Sequence, residues 1–109
     1  MSAFAFAGPA LDGSTVLIGS PPAARDSTVV ARLRKAGAVI VGRTSLTEFA
    51  FTGLGINSHY GTPKNAFDRA TGRIPGGSTS GGAISVTDGM AAGAIGTDTG
   101  GSLRIPAQC

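Results

Sequence analysis

Two glycine-rich loops lie close together in this 109-residue sequence, and each carries a serine flanked by glycines. The first is Gly76-Gly77-Ser78-Thr79-Ser80-Gly81-Gly82; the second is Gly96-Thr97-Asp98-Thr99-Gly100-Gly101-Ser102. Glycine permits positive φ and allows a ligand or another stretch of backbone to approach closely. A serine in such a loop is either a turn residue or an exposed hydroxyl placed for chemistry. Met90–Gly96, the small apolar run before the second loop, reads as a buried strand, and Thr97–Gly101 as a tight strand-to-helix turn. Ser102 then stands at or near a helix N-terminus, with Pro106 tolerated in the first turn. A helix N-terminus offers unpaired N–H groups and a positive dipole end, which can hold an anion or a developing oxyanion.

Three readings of the loops follow: ordinary turns, a serine nucleophile with an oxyanion hole, and a glycine-rich phosphate nest. A Walker loop needs GxxxxGK[ST], and no lysine follows Lys64, so that form is excluded.

Composition narrows the partners. Hydrophobic residues make up 41% of the chain, but 18 residues are glycine and there is no Trp. A chain of this size buries about 60–65% of its unfolded surface, and glycine raises the entropy cost of folding, so a very stable independent domain is not expected. The net charge of +3 is scattered apart from Arg32, Arg34 and Lys35. Those three fall on different sides of a predicted helix without interleaved aromatics, so no nucleic-acid partner is expected. One cysteine, Cys109, and one histidine, His59, cannot build a disulfide framework or a Cys/His metal site. No apolar run reaches membrane-spanning length, and Met1–Gly13 lacks the basic start of a signal peptide. A cytoplasmic, reducing compartment and no metal or organic cofactor are expected.

Upstream, the pattern is that of half an α/β unit. Phe4 and Phe6, and Val16–Ile18, suggest short strands between the turn signals Pro9, Gly13 and Pro21-Pro22. Asp26-Ser27-Thr28 supplies an N-cap for a helix carrying Val29, Val30, Leu33 and Ala36 on one stripe. Gly37 closes that helix, and Ala38–Val41 reads as a buried strand. Ser45-Leu46-Thr47-Glu48 is a capping box that predicts a short helix to about Ala50. Thr52–Arg73 reads as loop. Within it, Gly53–Ser58 is a near miss to a dinucleotide fingerprint with no strand directly before it. His59 and Lys64 read as a structural or exposed histidine and a solvated turn lysine. Ala83–Asp88 predicts a short helix ended by Gly89.

The two loops, GGSTSGG and GTDTGGSLRIPA, together with DSTVVARLRKAGAVIVGRTSLTEFAFTGLGINSHYGTPKN upstream, resemble the signature of the amidase signature family, the Ser–cis-Ser–Lys amide hydrolases. The resemblance covers Asp26–Cys109, with residues 1–25 matching weakly. It implies a partial amidase domain with the mixed-sheet α/β/α fold of that family. It implies hydrolysis of carboxylic amide C–N bonds through a serine acyl-enzyme. Ser102 corresponds to the nucleophile and Ser78 to the bridging serine that follows a cis peptide, here Gly77–Ser78. The N–H groups of Thr99, Gly100, Gly101 and Ser102 correspond to the oxyanion hole. Asp98 and Arg104 correspond to residues that fix the loop. In the family a neutral lysine takes a proton from the bridging serine, and neither Lys35 nor Lys64 falls at the matching position.

The expectation is therefore an internal piece of an amidase, with a small-molecule amide as substrate and negligible activity as the isolated chain. Association through uncovered sheet edges is also expected. The alternative is a non-catalytic remnant or binding module, with a phosphate-binding loop protein as a more distant reading.

Overall fold

The computed structural model describes residues 13–109. The expected strand around Phe4 and Phe6 lies outside the described residues.

Helix α1 spans Thr28–Lys35. Its start follows the sequence signal, because the Ser27 hydroxyl accepts the Val30 N–H at 3.4 Å. Asp26 is not the cap; it pairs with Arg34 at 2.9 Å. The helix ends at Gly37, whose φ of 91° only glycine adopts without penalty. There the Gly37 N–H donates to Arg34 and the Ala38 N–H to Leu33, each at 3.0 Å, the paired bonds of a Schellman closure. Arg32, Arg34 and Lys35 crowd the last turn, where cations suit the helix dipole.

Helix α2 spans Ser80–Thr87, starting three residues before the sequence signal. Gly81 and Gly82 are poor helix formers, but packing overrides propensity here. A Cβ on Gly81 would lie 2.5 Å from the Ser45 nitrogen and 2.7 Å from the Ser45 oxygen. The helix can form at this place only because those side chains are missing. Gly89, at φ 70°, ends it with the same closure seen in α1: its N–H donates to Val86 and that of Met90 to Ser85.

The expected helix at Ser45–Ala50 does not form. Glu48–Ala50 makes a single 3₁₀ turn, and Phe49 and Ala50 take left-handed φ values of 51° and 56°. The capping box fails because its side chains are engaged elsewhere. Glu48 accepts from the Ser14 hydroxyl at 2.6 Å and lies 3.0 Å from His59 Nε2, while Ser45 Oγ donates to the Gly61 carbonyl.

Neither apolar run forms a strand among the described residues. Val39 is 85% exposed and Met90 70% exposed. A strand is made by its ladder to a neighbour, and neither run has one here. Val16–Ile18 is a turn, with the Ile18 N–H donating to Thr15.

The interior is built from loop backbone. Val30 is the one buried hydrophobic side chain among the described residues. Pro75–Ser78, Ser80, Gly82, Gly101 and Pro106 are buried instead. The first serine loop therefore sits in the interior, and the second meets it at Gly101 while Thr97, Thr99 and Gly100 stay exposed.

Candidate functional site

Ser78 is 3% exposed and Ser102 is half-buried. The Thr79 N–H donates to the Ser102 carbonyl at 3.2 Å, which joins the two loops directly. The reason this carbonyl is available lies four residues on. In a helix it would accept the N–H of residue 106, but that residue is Pro106 and has none. The helix expected after Ser102 is accordingly replaced by a succession of turns. Ile105 N–H donates to Gly101 at 2.7 Å and Ala107 N–H to Leu103 at 3.1 Å, with the bond between them missing.

The first loop is held from its other side by the segment 45–55. The Thr47 N–H donates to the Ser78 carbonyl at 3.0 Å, Gly77 N–H to Gly53 at 2.8 Å and Gly81 N–H to Ser45 at 2.9 Å. The segments are in close backbone contact. A Cβ on Gly77 would lie 2.6 Å from the Gly55 nitrogen and 2.7 Å from Thr47 Oγ1. The Gly77–Ser78 peptide is cis, as the sequence resemblance implied.

Asp98 organises the second loop. Its Oδ1 accepts the Gly101 N–H at 2.8 Å and Arg104 Nη2 at 2.9 Å. Its Oδ2 accepts Leu103 N–H, Arg104 N–H and Arg104 Nε at 3.0–3.1 Å. The Arg104 guanidinium first, then the surrounding backbone N–H groups, hold the Asp98 carboxyl well below the usual carboxylate range. The pairing in turn raises Arg104. Asp98 and Arg104 thus fix the loop around Ser102, the role read for them in the sequence. The Gly101 N–H is committed to Asp98.

The other titratable residues singled out in the sequence have local roles. His59 binds Glu48, whose carboxyl is lowered by the Ser14 hydroxyl first and by His59 second. Lys35 ends α1 and Lys64 lies beside Gly72, both exposed.

Thr47 escaped the sequence reading, where it was an inner residue of a capping box. It is 4% exposed, and its Oγ1 is the one buried side-chain polar atom without a hydrogen-bond partner among the described residues. Buried polar groups are nearly always paired, so each exception points to strain or a use. No sequence signal marks it, because its position depends on the contact between Gly77 and segment 45–55.

The two loops are thus interlocked backbone to backbone, one carrying a buried serine and the other a serine within a carboxylate-fixed turn. Residues 9–109 match the Amidase family model, and this chain belongs to the amidase family. It is 49% identical over 80 residues to the 2-amino-5-chloromuconic acid deaminase of Comamonas testosteroni, covering 73% of this chain and 17% of that protein. It is 46% identical over 100 residues to a subunit of the glutamyl-tRNA(Gln) amidotransferase of Maridesulfovibrio salexigens, covering 92% and 20%. Among solved structures it resembles a chain from a vestigial protein complex that bears on the evolutionary origin of an s-triazine catabolic enzyme. The TM-score is 0.86 at 38% identity, covering 96% of this chain and 23% of that one. The chain therefore spans about a fifth of the length of the curated relatives it matches, and its architecture is consistent with a piece of the amidase fold.

Proposed function

We propose that this chain supplies the serine-bearing part of an amide hydrolase that cleaves carboxylic amide C–N bonds through an acyl-enzyme. The observation that carries the reading is the interlock of the two serine loops through Thr79 N–H and the Ser102 carbonyl, within a chain of the amidase family. Ser102 Oγ attacks the amide carbon and passes its proton to Ser78 Oγ, whose own proton goes to a neutral lysine amine. The N–H groups of Thr99, Gly100 and Gly101 face the developing oxyanion. Thr99 and Gly100 are the principal donors, because Gly101 already donates to Asp98. The tetrahedral intermediate expels the amine, which takes up a proton, and water then hydrolyses the Ser102 ester. The base is assigned to neither Lys35 nor Lys64.

The remaining parts of the proposal rest on composition and on the relatives. The substrate is a small-molecule amide. Ala38–Val41 and Met90–Gly96 join a mixed sheet with neighbouring strands, and association through these runs is expected when such strands are lacking. One cysteine in 109 residues suits a reducing, cytoplasmic setting. Family membership favours the hydrolase over a binding module or a phosphate loop.

The test is a chimera in which residues 9–109 replace the matching segment of a full-length amidase. Ser102→Ala should lower kcat on the order of 10⁴–10⁶-fold, and Ser78→Ala should lower kcat far more than it raises KM. The 109-residue chain alone should give negligible turnover of aryl amides, since a serine hydroxyl without its base is a weak nucleophile. A fluorophosphonate probe that labels the Ser102→Ala chimera at the parent's rate would refute the assignment.

A further inference from the structure

Asn57, in the glycine-rich stretch Gly53–Ser58, is a buried polar side chain, 3% exposed and 21 or more positions from either serine. Both donors and both acceptor positions of its amide are filled. Nδ2 donates to the Leu46 carbonyl at 2.7 Å and to the Gly13 carbonyl at 2.8 Å. Oδ1 accepts the N–H groups of His59 and Tyr60, each at 2.9 Å. The two accepted bonds are local and hold the side chain in one orientation. The two donated bonds reach out to other segments of the chain.

The Leu46 bond bears on the serines because of what the same peptide unit does at its other edge. A trans peptide is a rigid plate, with C=O and N–H pointing in opposite directions. In the Leu46–Thr47 peptide the carbonyl is held by Asn57, and the Thr47 N–H donates to the Ser78 carbonyl at 3.0 Å. Asn57, the peptide and Ser78 therefore form one chain of hydrogen bonds. A peptide whose carbonyl accepts such a bond is polarised, which strengthens the bond its N–H donates.

We propose that Asn57 is a positioning residue for Ser78: it fixes the plane of the Leu46–Thr47 peptide and so aims the Thr47 N–H at the Ser78 carbonyl. The inference deepens the amide-hydrolase reading, in which Ser78 relays the proton, and rests on it. The Thr47 side chain does not share this work, since its Oγ1 makes no hydrogen bond. The stretch that carries Asn57 is itself seated on the serine loop. Gly53 accepts the Gly77 N–H at 2.8 Å, and a Cβ on Gly55 would strike the Gly76 carbonyl. Asn57 thus ties together the two segments that brace Ser78, 46–47 and 53–55. A relay serine has to be held within about 0.5 Å of its productive place, and supporting bonds of this kind do that.

Asn57→Asp tests the proposal, because it keeps the shape and the acceptor and removes the Nδ2 donor. In the 109-residue chain, exchange protection of the Thr47 amide should fall about tenfold. Gly77 and Gly81, bonded to Gly53 and Ser45, should keep theirs. Asn57→Ser, uncharged and too short to reach Leu46, should give the same pattern. Tyr60→Phe is the control: it removes only the bond from the Tyr60 hydroxyl to the Ser14 carbonyl and should leave Thr47 protected. In the chimera, Asn57→Asp should lower kcat about 10–100-fold with KM little changed, since the residue places Ser78 without touching substrate. Undiminished protection at Thr47 overturns the proposal, and so does an equal loss at Thr47, Gly77 and Gly81, which would make Asn57 a support of the fold at large. Loss of the fold in both Asn57 variants overturns it on the same ground. Fluorophosphonate labelling of Ser102 in the parent chimera reports on the hydrolase reading separately. A selective loss at Thr47 without such labelling sinks the hydrolase and leaves the hydrogen-bond chain standing, whereas a labelled chimera whose kcat ignores Asn57→Asp sinks the positioning role alone.

Discussion

Gly81→Ala tests whether the serine loops are held by backbone contact. The new Cβ would lie 2.5 Å from the Ser45 nitrogen and 2.7 Å from the Ser45 oxygen. Both are main-chain atoms, so the clash cannot be relieved by turning a side chain. Either α2 or segment 43–47 must move by most of an ångström. Overpacking of this kind costs about 1–3 kcal/mol, and the bond from Gly81 N–H to the Ser45 carbonyl, 2.9 Å long, contributes about 1 kcal/mol more when it goes. Against this, Ala is better than Gly inside a helix by about 0.5–1 kcal/mol. The net loss is about 2 kcal/mol, with overpacking the deciding contribution.

The consequence should reach the site, because Thr47 lies two residues from Ser45 and its N–H holds the Ser78 carbonyl. Hydrogen exchange on the 109-residue chain reads this directly. Protection of the Thr47 and residue-81 amides should fall about 30-fold, the factor for about 2 kcal/mol, while the α1 amides of Ala31 and Ala36 change little. Gly93→Ala is the control: no atom lies within 4 Å of its Cβ position and its φ is not positive, so it should be neutral or slightly stabilising. Undiminished protection at Thr47 in Gly81→Ala would show that segment 45–47 is not seated on α2.

Two further outcomes follow from local chemistry. Asp98, Glu48 and Asp68 are all lowered in the folded chain, so their stabilisation is fully present above the ordinary carboxylate range and is lost as pH falls through that range towards the folded values. Exchange protection at Gly101 and Leu103 should therefore hold from pH 7 down to about pH 4 and fall only below the ordinary carboxylate range, while Asp98→Asn at pH 7 should lose it already; protection that survives Asp98→Asn would contradict the Asp98 network. Ala50→Gly removes a left-handed Cβ and should stabilise by about 0.5–1 kcal/mol, read as a raised unfolding midpoint; a lowered midpoint would mean the turn is not strained.

What was legible in the sequence was the chemistry carried by nearest neighbours. The Ser27 cap and the Gly37 and Gly89 closures are set by residues a few positions apart, and so is the Asp98–Arg104 clasp. What escaped was everything decided by a distant partner. The capping box at Ser45–Glu48 is locally sound, yet Glu48 is taken by Ser14, 34 positions away. The runs Ala38–Val41 and Met90–Gly96 have strand composition, but a strand needs a neighbour that these residues do not provide. The start of α2 was misread for the opposite reason: Gly81 and Gly82 look like helix breakers until the Ser45 backbone is placed against them.

The same distinction applies to the serine loops themselves. Each serine is held by its own main-chain carbonyl, Ser78 by Thr47 N–H and Ser102 by Thr79 N–H, with the Asp98 carboxylate fixing the turn around Ser102. What the loops require is glycine where another backbone passes, as at Gly77 and Gly81, and proline at residue 106 to leave the Ser102 carbonyl open. Exposed side chains of the neighbouring segment are under no such demand. Changes at Phe49, Phe51, Leu54 or Ile56 should therefore leave the bonds that hold Ser78 and Ser102 undisturbed, read as unchanged exchange protection at Thr47 and Thr79.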